Sequence, residues 1–145
     1  MSDSVSVDWR RGEWFVASFS KTVPGFWVMN GWLRRLDGGE SDAAIGAAVT
    51  EGLDASEVGV EPPGRDDNPA APLLRMVGLR SYGAYMRGTR SLSVRREGEA
   101  VTVEPMRNEG SRGGFTYLPD RAEVLDEPSE EILGRAVRDA LLRTL

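Results

Sequence analysis

The chain has 145 residues, a formal net charge of −5 at pH 7, and neither cysteine nor histidine. These totals fit one domain, and they exclude disulfides, zinc sites of the usual Cys/His type, Ser-His catalytic triads and imidazole general bases. The acidic balance also argues against a dedicated binder of the nucleic-acid backbone, because such binders need clustered cations.

Three short strands are predicted in the first quarter of the chain. Residues 14–20 and 26–29 are apolar and rich in β-forming side chains, and the turn-like Val23-Pro24-Gly25 lies between them, so they predict a hairpin. Asn30-Gly31 is typical of a second turn, after which residues 32–36 predict a third strand.

Two helices are predicted by segments that echo each other, SDAAIGAAVTEGL at 41–53 and SEEILGRAVRDAL at 129–141. Each begins with a serine that can cap free amide groups, and each has a glycine at the same internal position, Gly46 or Gly134. Glycine costs about 1 kcal/mol relative to alanine in a helix interior. We therefore expect a close approach of the backbone to a strand at both positions. The apolar stripes expected to be buried are Ile45, Ala48, Val49 and Leu53 in the first helix, and Ile132, Leu133, Ala136, Val137, Ala140 and Leu141 in the second.

The region between the helices predicts a connector and a second set of strands. Residues 54–72 contain four prolines and predict an irregular connector, whereas residues 73–90 fit either a strand or a short helix. Residues 92–94 and 101–103 alternate around Glu97-Gly98-Glu99 and predict a hairpin. Residues 115–118 predict a further strand, and 109–114 a flexible loop rather than a phosphate-binding loop.

The order of strands, helix, connector, strands and helix predicts an α+β fold. We expect a single domain over residues 1–145, made of two repeated antiparallel β-sheet-plus-helix units at about 9–53 and 73–145, joined by the connector 54–72. This pseudo-symmetric arrangement is similar in architecture to whirly-type folds, some of which bind single-stranded DNA. Likeness of architecture alone is not evidence of that activity.

Charge is distributed unevenly along the chain. Residues 37–67 hold nine acids and one arginine, whereas arginines outnumber acids by four between residues 75 and 112. Such an acidic surface can attract a basic protein, including a nuclease whose own cleft attracts phosphates, although a solvated helix face plus a polar linker would have the same composition. Adjacent strand residues face opposite ways, so Phe26 and Trp27 imply an exposed aromatic or a strand covered on both sides. The candidate contact residues for a protein partner are Asp37, Glu40, Glu57, Glu61, Asp66, Asp67, Trp27 and Trp32.

The sequence predicts no catalytic, cofactor-binding or metal-binding residues. Asp66-Asp67 and Glu130-Glu131 are paired carboxylates without the ligand ladder of a calcium loop, and no pair of nucleophile and base can be named. We therefore expect a protein that is not an enzyme and needs no cofactor.

Four segments together resemble a known bacterial family. They are SYGAY at 81–85, TVEP at 102–105, NEGSRGGFTYL at 108–118 and LGRAVRDAL at 133–141. In this order they are similar to the immunity proteins of contact-dependent growth inhibition systems, a group once described as a domain of unknown function. The likeness covers most of the chain, from the first hairpin to the last helix.

The resemblance implies an antitoxin without enzymatic activity. It would remain in the cytoplasm, bind the C-terminal toxin domain of a cognate effector as a 1:1 complex, and block the toxin's active site. Toxins paired with this group include RNA-cleaving nucleases. The contacts differ between family members because each must reject foreign toxins, so the resemblance assigns no contact residues.

Two alternatives come from other functional classes. A single-stranded nucleic-acid module could use Arg87, Arg90, Arg95 and Arg96 with stacking on Tyr82 and Tyr85. Because the chain is acidic, binding of nucleic acid is a weaker hypothesis than inhibition of a toxin. A small enzyme is the weakest of the three hypotheses, so we expect no small-molecule substrate. The chain has neither a secretory signal pattern nor an apolar run near the ~20 residues of a membrane span, which predicts a cytoplasmic protein with no membrane contact.

Overall fold

The computed structural model describes residues 2–145. The strands are β1 (Ser2–Arg10), β2 (Glu13–Thr22), β3 (Trp27–Asp37), β4 (Val58–Val60), β5 (Arg90–Glu97), β6 (Ala100–Asn108), β7 (Phe115–Tyr117) and β8 (Glu123–Asp126). The helices are α1 (Asp42–Asp54), α2 (Ala71–Val77), α3 (Tyr82–Met86), α4 (Gly110–Gly113) and α5 (Glu130–Leu141), with a 3-10 turn at Pro119–Arg121. No helix in residues 2–145 has the length and apolar character needed to cross a membrane.

All eight strands join in one sheet with the order β3-β2-β1-β5-β6-β7. β8 also pairs with β6, and β4 pairs with β2 in the sheet's one parallel contact among the described residues. The α+β class and both hairpins, β2–β3 and β5–β6, are confirmed. Two separate sheet-plus-helix units are not confirmed, because β1 and β5 pair directly and join the strands of both halves.

The central strand β1 was missing from the sequence-based prediction. Val5 and Val7 are buried and alternate with Ser4 and Ser6, which is the two-residue period of a strand. The pattern is short and half polar, and its serines weaken the apolar signal on which strand prediction depends. β1 pairs with β2 on one side and with β5 on the other.

Helices α1 and α5 cover one face of the sheet, and each begins at a serine as predicted. The Ser41 and Ser129 hydroxyls accept hydrogen bonds from the backbone N–H groups of Ala44 and Ile132, at 3.1 and 3.2 Å. The predicted stripe of α1 is buried throughout, and together with α5 it packs on valines and leucines of β1, β2, β5 and β6. In α5 the prediction is wrong for Ile132, which is 50% exposed. The buried face of the helix begins at Leu133 instead.

The two internal glycines lie where α1 and α5 cross. A Cβ atom on Gly46 would overlap the backbone carbonyl of Glu130, and one on Gly134 would overlap the backbone carbonyl of Asp42. The expected close approach is therefore real, but the partner is the other helix and not a strand. The Arg138 guanidinium donates to Asp42 Oδ1 at 2.9 Å and holds the two helices together at the edge of this crossing. Hence both glycines are required by one backbone-to-backbone contact.

The opposite face of the sheet is covered only in part. In residues 73–90 the sequence left strand and helix open, and the structure forms most of α2 and all of α3 there. These helices bury Leu73, Leu74 and Tyr85 against Phe15 of β2. The segment 109–114, expected to be a flexible loop, contains the short helix α4 instead. The remainder of this face is left without a helix above it.

A buried carboxylate lies beneath α3. Asp8 is 2% exposed and accepts hydrogen bonds from the Tyr85 hydroxyl at 2.7 Å and the Ser91 hydroxyl at 2.6 Å. Burial raises the pKa of Asp8 to about 6, and these two hydrogen bonds oppose the shift. Burial and the nearby carboxylate also raise the pKa of Tyr85 and Tyr82, so both phenols stay protonated and can donate.

Replacing either crossing glycine should destabilise the protein although alanine favours helices. We expect Gly46→Ala and Gly134→Ala each to lower the free energy of unfolding by at least about 2 kcal/mol, because the helices must move apart. Urea unfolding followed by circular dichroism measures this. The two losses should not add in the double variant, because one separation relieves both overlaps.

The control for helix propensity is Ala43→Gly, on the exposed side of α1. It should cost no more than about 1 kcal/mol, the propensity difference alone. If Gly46→Ala were neutral or stabilising, the tight helix crossing would be disproved.

The buried Asp8 should give the protein a distinctive pH dependence. Because its pKa is raised in the folded state, the folded protein holds a proton that the unfolded chain releases, so this group's contribution to stability falls as the pH rises from about 4 to about 6. Between pH 4 and pH 7 the fall should be about 2 kcal/mol relative to Asp8→Asn, whose amide keeps the shape of the protonated acid. Urea unfolding of both proteins at pH 4 to 7 measures the difference, and parallel stability curves would contradict it.

Candidate functional site

An acidic cleft lies at the edge of the sheet, between β3, β4, the connector and the start of α2. Its volume is about 720 Å³. The charged side chains that line it are Glu57, Glu61, Asp66, Asp67 and Arg75. Four acids and one arginine leave the cleft with a clear negative charge. We call these residues, with Trp32 on the wall, the acidic cleft.

Asn30 connects the strands to the connector at the base of the cleft. Its amide nitrogen shares its two hydrogens among three acceptors, the hydroxyls of Ser18 and Ser20, both at 2.9 Å, and the backbone carbonyl of Ala55 at 3.1 Å. Its side-chain oxygen accepts from the Trp32 backbone N–H at 3.0 Å. One side chain thus joins β2, β3 and the residues that follow α1.

This arrangement corrects the sequence-based interpretation of Asn30-Gly31. The pair lies inside the single strand β3 and not in a turn, and the pairing of β2 with β3 shifts register between Ala17 and Phe19. Gly31 takes a φ of 93°, a conformation that glycine adopts more readily than other residues. Turn residues therefore produce a bulge here, and the bulge aims Asn30 at the connector.

The beginning of the connector is held in place by backbone pairing. β4 pairs with the end of β2, and the Lys21 N–H donates to the Glu57 carbonyl at 2.8 Å. The Glu57 N–H donates to the Ser20 hydroxyl at 3.0 Å. Glu57 is therefore fixed to the sheet although its side chain is exposed.

The rest of the connector stays in solvent and presents its acids. Residues 61–68 are all exposed. Asp67 Oδ2 accepts from the Gly64 N–H at 2.8 Å, and the Asn68 side chain accepts from the Ala70 N–H at 3.1 Å. These turn-type hydrogen bonds give the segment a shape without burying it.

An apolar rim borders the acidic cleft. Val23 and Phe26, in the β2–β3 turn, are 68% and 49% exposed, and Val58 of β4 is 49% exposed. The Val23 N–H donates to the Val60 carbonyl at 2.9 Å, which joins the turn to β4. Of the two outcomes expected from Phe26 and Trp27, the structure has the exposed aromatic: Phe26 lies in the turn before β3 and is exposed, whereas Trp27 begins β3 and is half-buried. Val23 and Val58 were not among the predicted contact residues, because no local pattern marks either of them as exposed.

The structure brings together five of the eight predicted contact residues. These are Trp32, Glu57, Glu61, Asp66 and Asp67. Asp37 pairs with Glu13 at the far end of β2, eight residues or roughly 26 Å from Lys21, and Glu40 follows it there. Trp27 lines a different groove on the uncovered face of the sheet. The prediction grouped these acids because they are close in sequence. In the structure, the length of β3 separates Asp37 and Glu40 from the acids of the cleft.

The residues of the nucleic-acid alternative do not form one stacking surface. Tyr85 is fully buried and donates to Asp8, so its ring is not available to a base. Arg95 and Arg96 are adjacent on β5 and face opposite ways. Arg95 pairs with Glu104 at 2.8 Å, whereas Arg96 donates to the carboxylates of Asp3 and Asp54, both at 2.9 Å.

No metal centre is evident among the described carboxylates. Within residues 2–145, no three acidic side chains are grouped so that they could hold a metal ion. The acids of the cleft are thus arranged as a charged surface.

Comparison with known proteins places the chain beside bacterial immunity proteins. The model of the CDI immunity protein family matches residues 3–144. A search of curated protein sequences found no match.

Two solved structures share the fold. A protein of unknown function from Neisseria meningitidis is 14% identical with a TM-score of 0.82, and the match covers 100% of this chain and 96% of that one. A chain of the CdiA-CT/CdiI toxin and immunity complex from Yersinia pseudotuberculosis is 18% identical with a TM-score of 0.81, covering 100% and 98%. At these identities the likeness establishes the fold alone.

The role of Asn30 can be tested through the connector it holds. Asn30→Ala leaves the Ser18 and Ser20 hydroxyls and the Ala55 carbonyl without their shared donor, so the connector should loosen and the free energy of unfolding should fall by about 1–3 kcal/mol. Trypsin cleavage after Arg65, the single cation of the connector, should become several times faster.

Asn68→Ala is the matched control, since it removes only a local turn contact to Ala70. At equal protein concentration, its cleavage rate after Arg65 should stay close to the wild-type rate. If Asn30→Ala were cleaved at the wild-type rate, Asn30 would not be what fixes the connector.

Proposed function

The chain belongs to the CDI immunity protein family, and we propose that it neutralises a cognate toxin by covering the toxin's active site with the acidic cleft and its apolar rim. The sequence-based resemblance to this family is confirmed by the family match over residues 3–144. The observation that carries the proposal is the grouping of Glu57, Glu61, Asp66 and Asp67 around one cleft.

The charge of the cleft favours a toxin with a basic active site. A nuclease must attract phosphates, so its catalytic cleft is lined by cations, and four carboxylates offer the same kind of attraction. Long-range attraction of this kind raises the association rate in particular. We therefore infer that the toxin domain is a nuclease, and an RNA-cleaving one fits the family resemblance.

The apolar rim is expected to slow dissociation of the complex, which the charge of the cleft does little to change. Exposed acids in water contribute little net affinity per pair, whereas apolar and aromatic anchors that become buried slow dissociation. Val58 follows Glu57 of the cleft directly, and Phe26 lies in the turn that is hydrogen-bonded to β4. Acids would thus guide the encounter, and the rim would hold the complex.

The proposed complex contains one immunity protein and one toxin domain. One bound toxin domain would cover the acidic cleft and so leave no room there for a second. The immunity protein would act in the cytoplasm, before the toxin reaches its substrate, and it would need no cofactor and perform no catalysis.

Neutralising the cleft should slow association with the toxin. We expect the variant carrying Glu57→Gln, Glu61→Gln, Asp66→Asn and Asp67→Asn to associate at least tenfold more slowly with the toxin domain encoded beside it, at low salt. Surface plasmon resonance at 20 and 200 mM salt measures the rates. The wild-type rate should fall with salt much more steeply than the variant's.

The control variant removes the same four charges elsewhere. Asp120→Asn, Glu123→Gln, Asp126→Asn and Glu127→Gln change exposed side chains between β7 and α5, and should leave association within about twofold. If the two variants slowed association equally, net charge and not the cleft would be responsible. If the cleft variant bound like wild type, the proposed interface would be wrong.

A further inference from the structure

A second concave site lies on the sheet face that α1 and α5 do not cover. It is a groove of about 330 Å³, floored by the serines Ser4, Ser6, Ser91 and Ser93 of the two central strands. Its walls are aromatic and come from Phe19, Trp27, Tyr82, Phe115 and Tyr117. We call it the serine groove.

The floor has an unusual composition for a buried surface. On their helix-facing side the same two strands carry Val5, Val7, Leu92 and Val94, all 1% exposed or less. On the groove side Ser91 and Ser93 are 2% and 4% exposed, so hydroxyls occupy positions where apolar side chains would pack more favourably.

Ser93 carries an unused hydrogen-bonding group. Its Oγ is buried and has no hydrogen-bond partner within the protein, whereas the neighbouring Ser91 donates to Asp8. An unsatisfied buried hydroxyl costs free energy, and such groups in native structures call for an explanation. Ser93 lines the groove, which suggests that its partner arrives with a ligand.

The groove contains charges that cancel each other. Glu104 lies opposite Ser93 in the β5–β6 pairing and is 4% exposed, and it accepts from the Arg95 guanidinium at 2.8 Å. That guanidinium also lies 5.2 Å from the centre of the Tyr117 ring. Since the pair is complete, neither a phosphate nor an ammonium group gains a free counter-charge here.

From the aromatic walls, the hydroxyl floor and the cancelled charge, we propose that the serine groove takes a tyrosine side chain of the toxin domain, whose ring enters between Trp27 and Tyr117 and whose hydroxyl pairs with Ser93. This rests on the function proposed above. A fully apolar side chain would leave Ser93 unsatisfied, and a charged one would be desolvated without a partner. A phenol satisfies both demands.

The position of the groove links it to the acidic cleft. Along β2 Phe19 lines the groove and Ser20 lines the cleft, and along β3 Trp27 lines the groove and Val28 the cleft. The two sites therefore lie on either side of the β2–β3 hairpin. A toxin domain seated on the apolar rim at the tip of this hairpin can reach both.

The first test compares two variants in toxin binding. Tyr117→Ser removes a wall of the groove at a residue that is 56% exposed, and should raise the dissociation rate about tenfold while the association rate stays within twofold. Val124→Ser is the matched control, since Val124 is 68% exposed on β8, which pairs with the same strand β6, and lies outside the groove. Dissociation of the control should stay within twofold of wild type.

A third variant separates binding from folding. Ser93→Val removes the unsatisfied hydroxyl, so the free protein should unfold at the same or higher urea concentration, while the toxin should dissociate several times faster. Dissociation at the wild-type rate in both Ser93→Val and Tyr117→Ser would overturn the proposal, even if the cleft variant confirmed the toxin interface.

The second test needs no toxin and therefore stands if the proposed function fails. Titration of ¹⁵N-labelled protein with N-acetyl-L-tyrosinamide should shift the amide signals of Ser4, Ser6 and Ser93 and the indole signal of Trp27, and not those of the acidic cleft. N-acetyl-L-leucinamide should leave them unchanged. Absence of shifts with the tyrosine probe at millimolar concentration, or stronger binding of adenosine than of that probe, would overturn the assignment of the groove to a tyrosine side chain.

Discussion

The crossing of α1 and α5 is the constraint on which the rest of the molecule depends. Because Gly46 and Gly134 lack side chains, the backbones of the two helices touch, and together the helices fit over one face of the sheet. That face becomes the main core. Of the described helices, α2 and α3 pack on part of the other face. The serine groove lies on this uncovered area, and the acidic cleft lies at the sheet edge on the other side of the β2–β3 hairpin.

The two sites lie on either side of the β2–β3 hairpin and differ in the interactions they offer to a partner. The acidic cleft lies in solvent, has four carboxylates and acts over a distance that salt shortens. The serine groove is floored by buried hydroxyls, has balanced charge and acts only on contact. If both proposals hold, the acidic cleft controls the association rate and the serine groove controls the lifetime of the complex, so mutation can alter each without the other.

The sequence predicted elements with strong local signals and missed those that depend on tertiary contacts. Serine caps, apolar stripes and the glycine between Glu97 and Glu99 identified both long helices and one hairpin, because each signal is local. β1 was missed because its serines interrupt the apolar pattern, and Asn30-Gly31 was misread because a bulge uses the same residues as a turn. We expected Gly46 to approach a strand, whereas it contacts α5, because the pattern along one helix does not show which element packs against it.

The candidate site was predicted in the same uneven way. The acids at 57–67 proved to be neighbours because they follow one another on the connector, whereas Asp37 and Glu40 belong to the far end of a long strand. Residues 61–68 are wholly exposed and held by local turns, so substitutions there cost the fold little. Substitutions can therefore accumulate in this segment while the protein stays folded, so under the proposed function toxin recognition can change without loss of the fold.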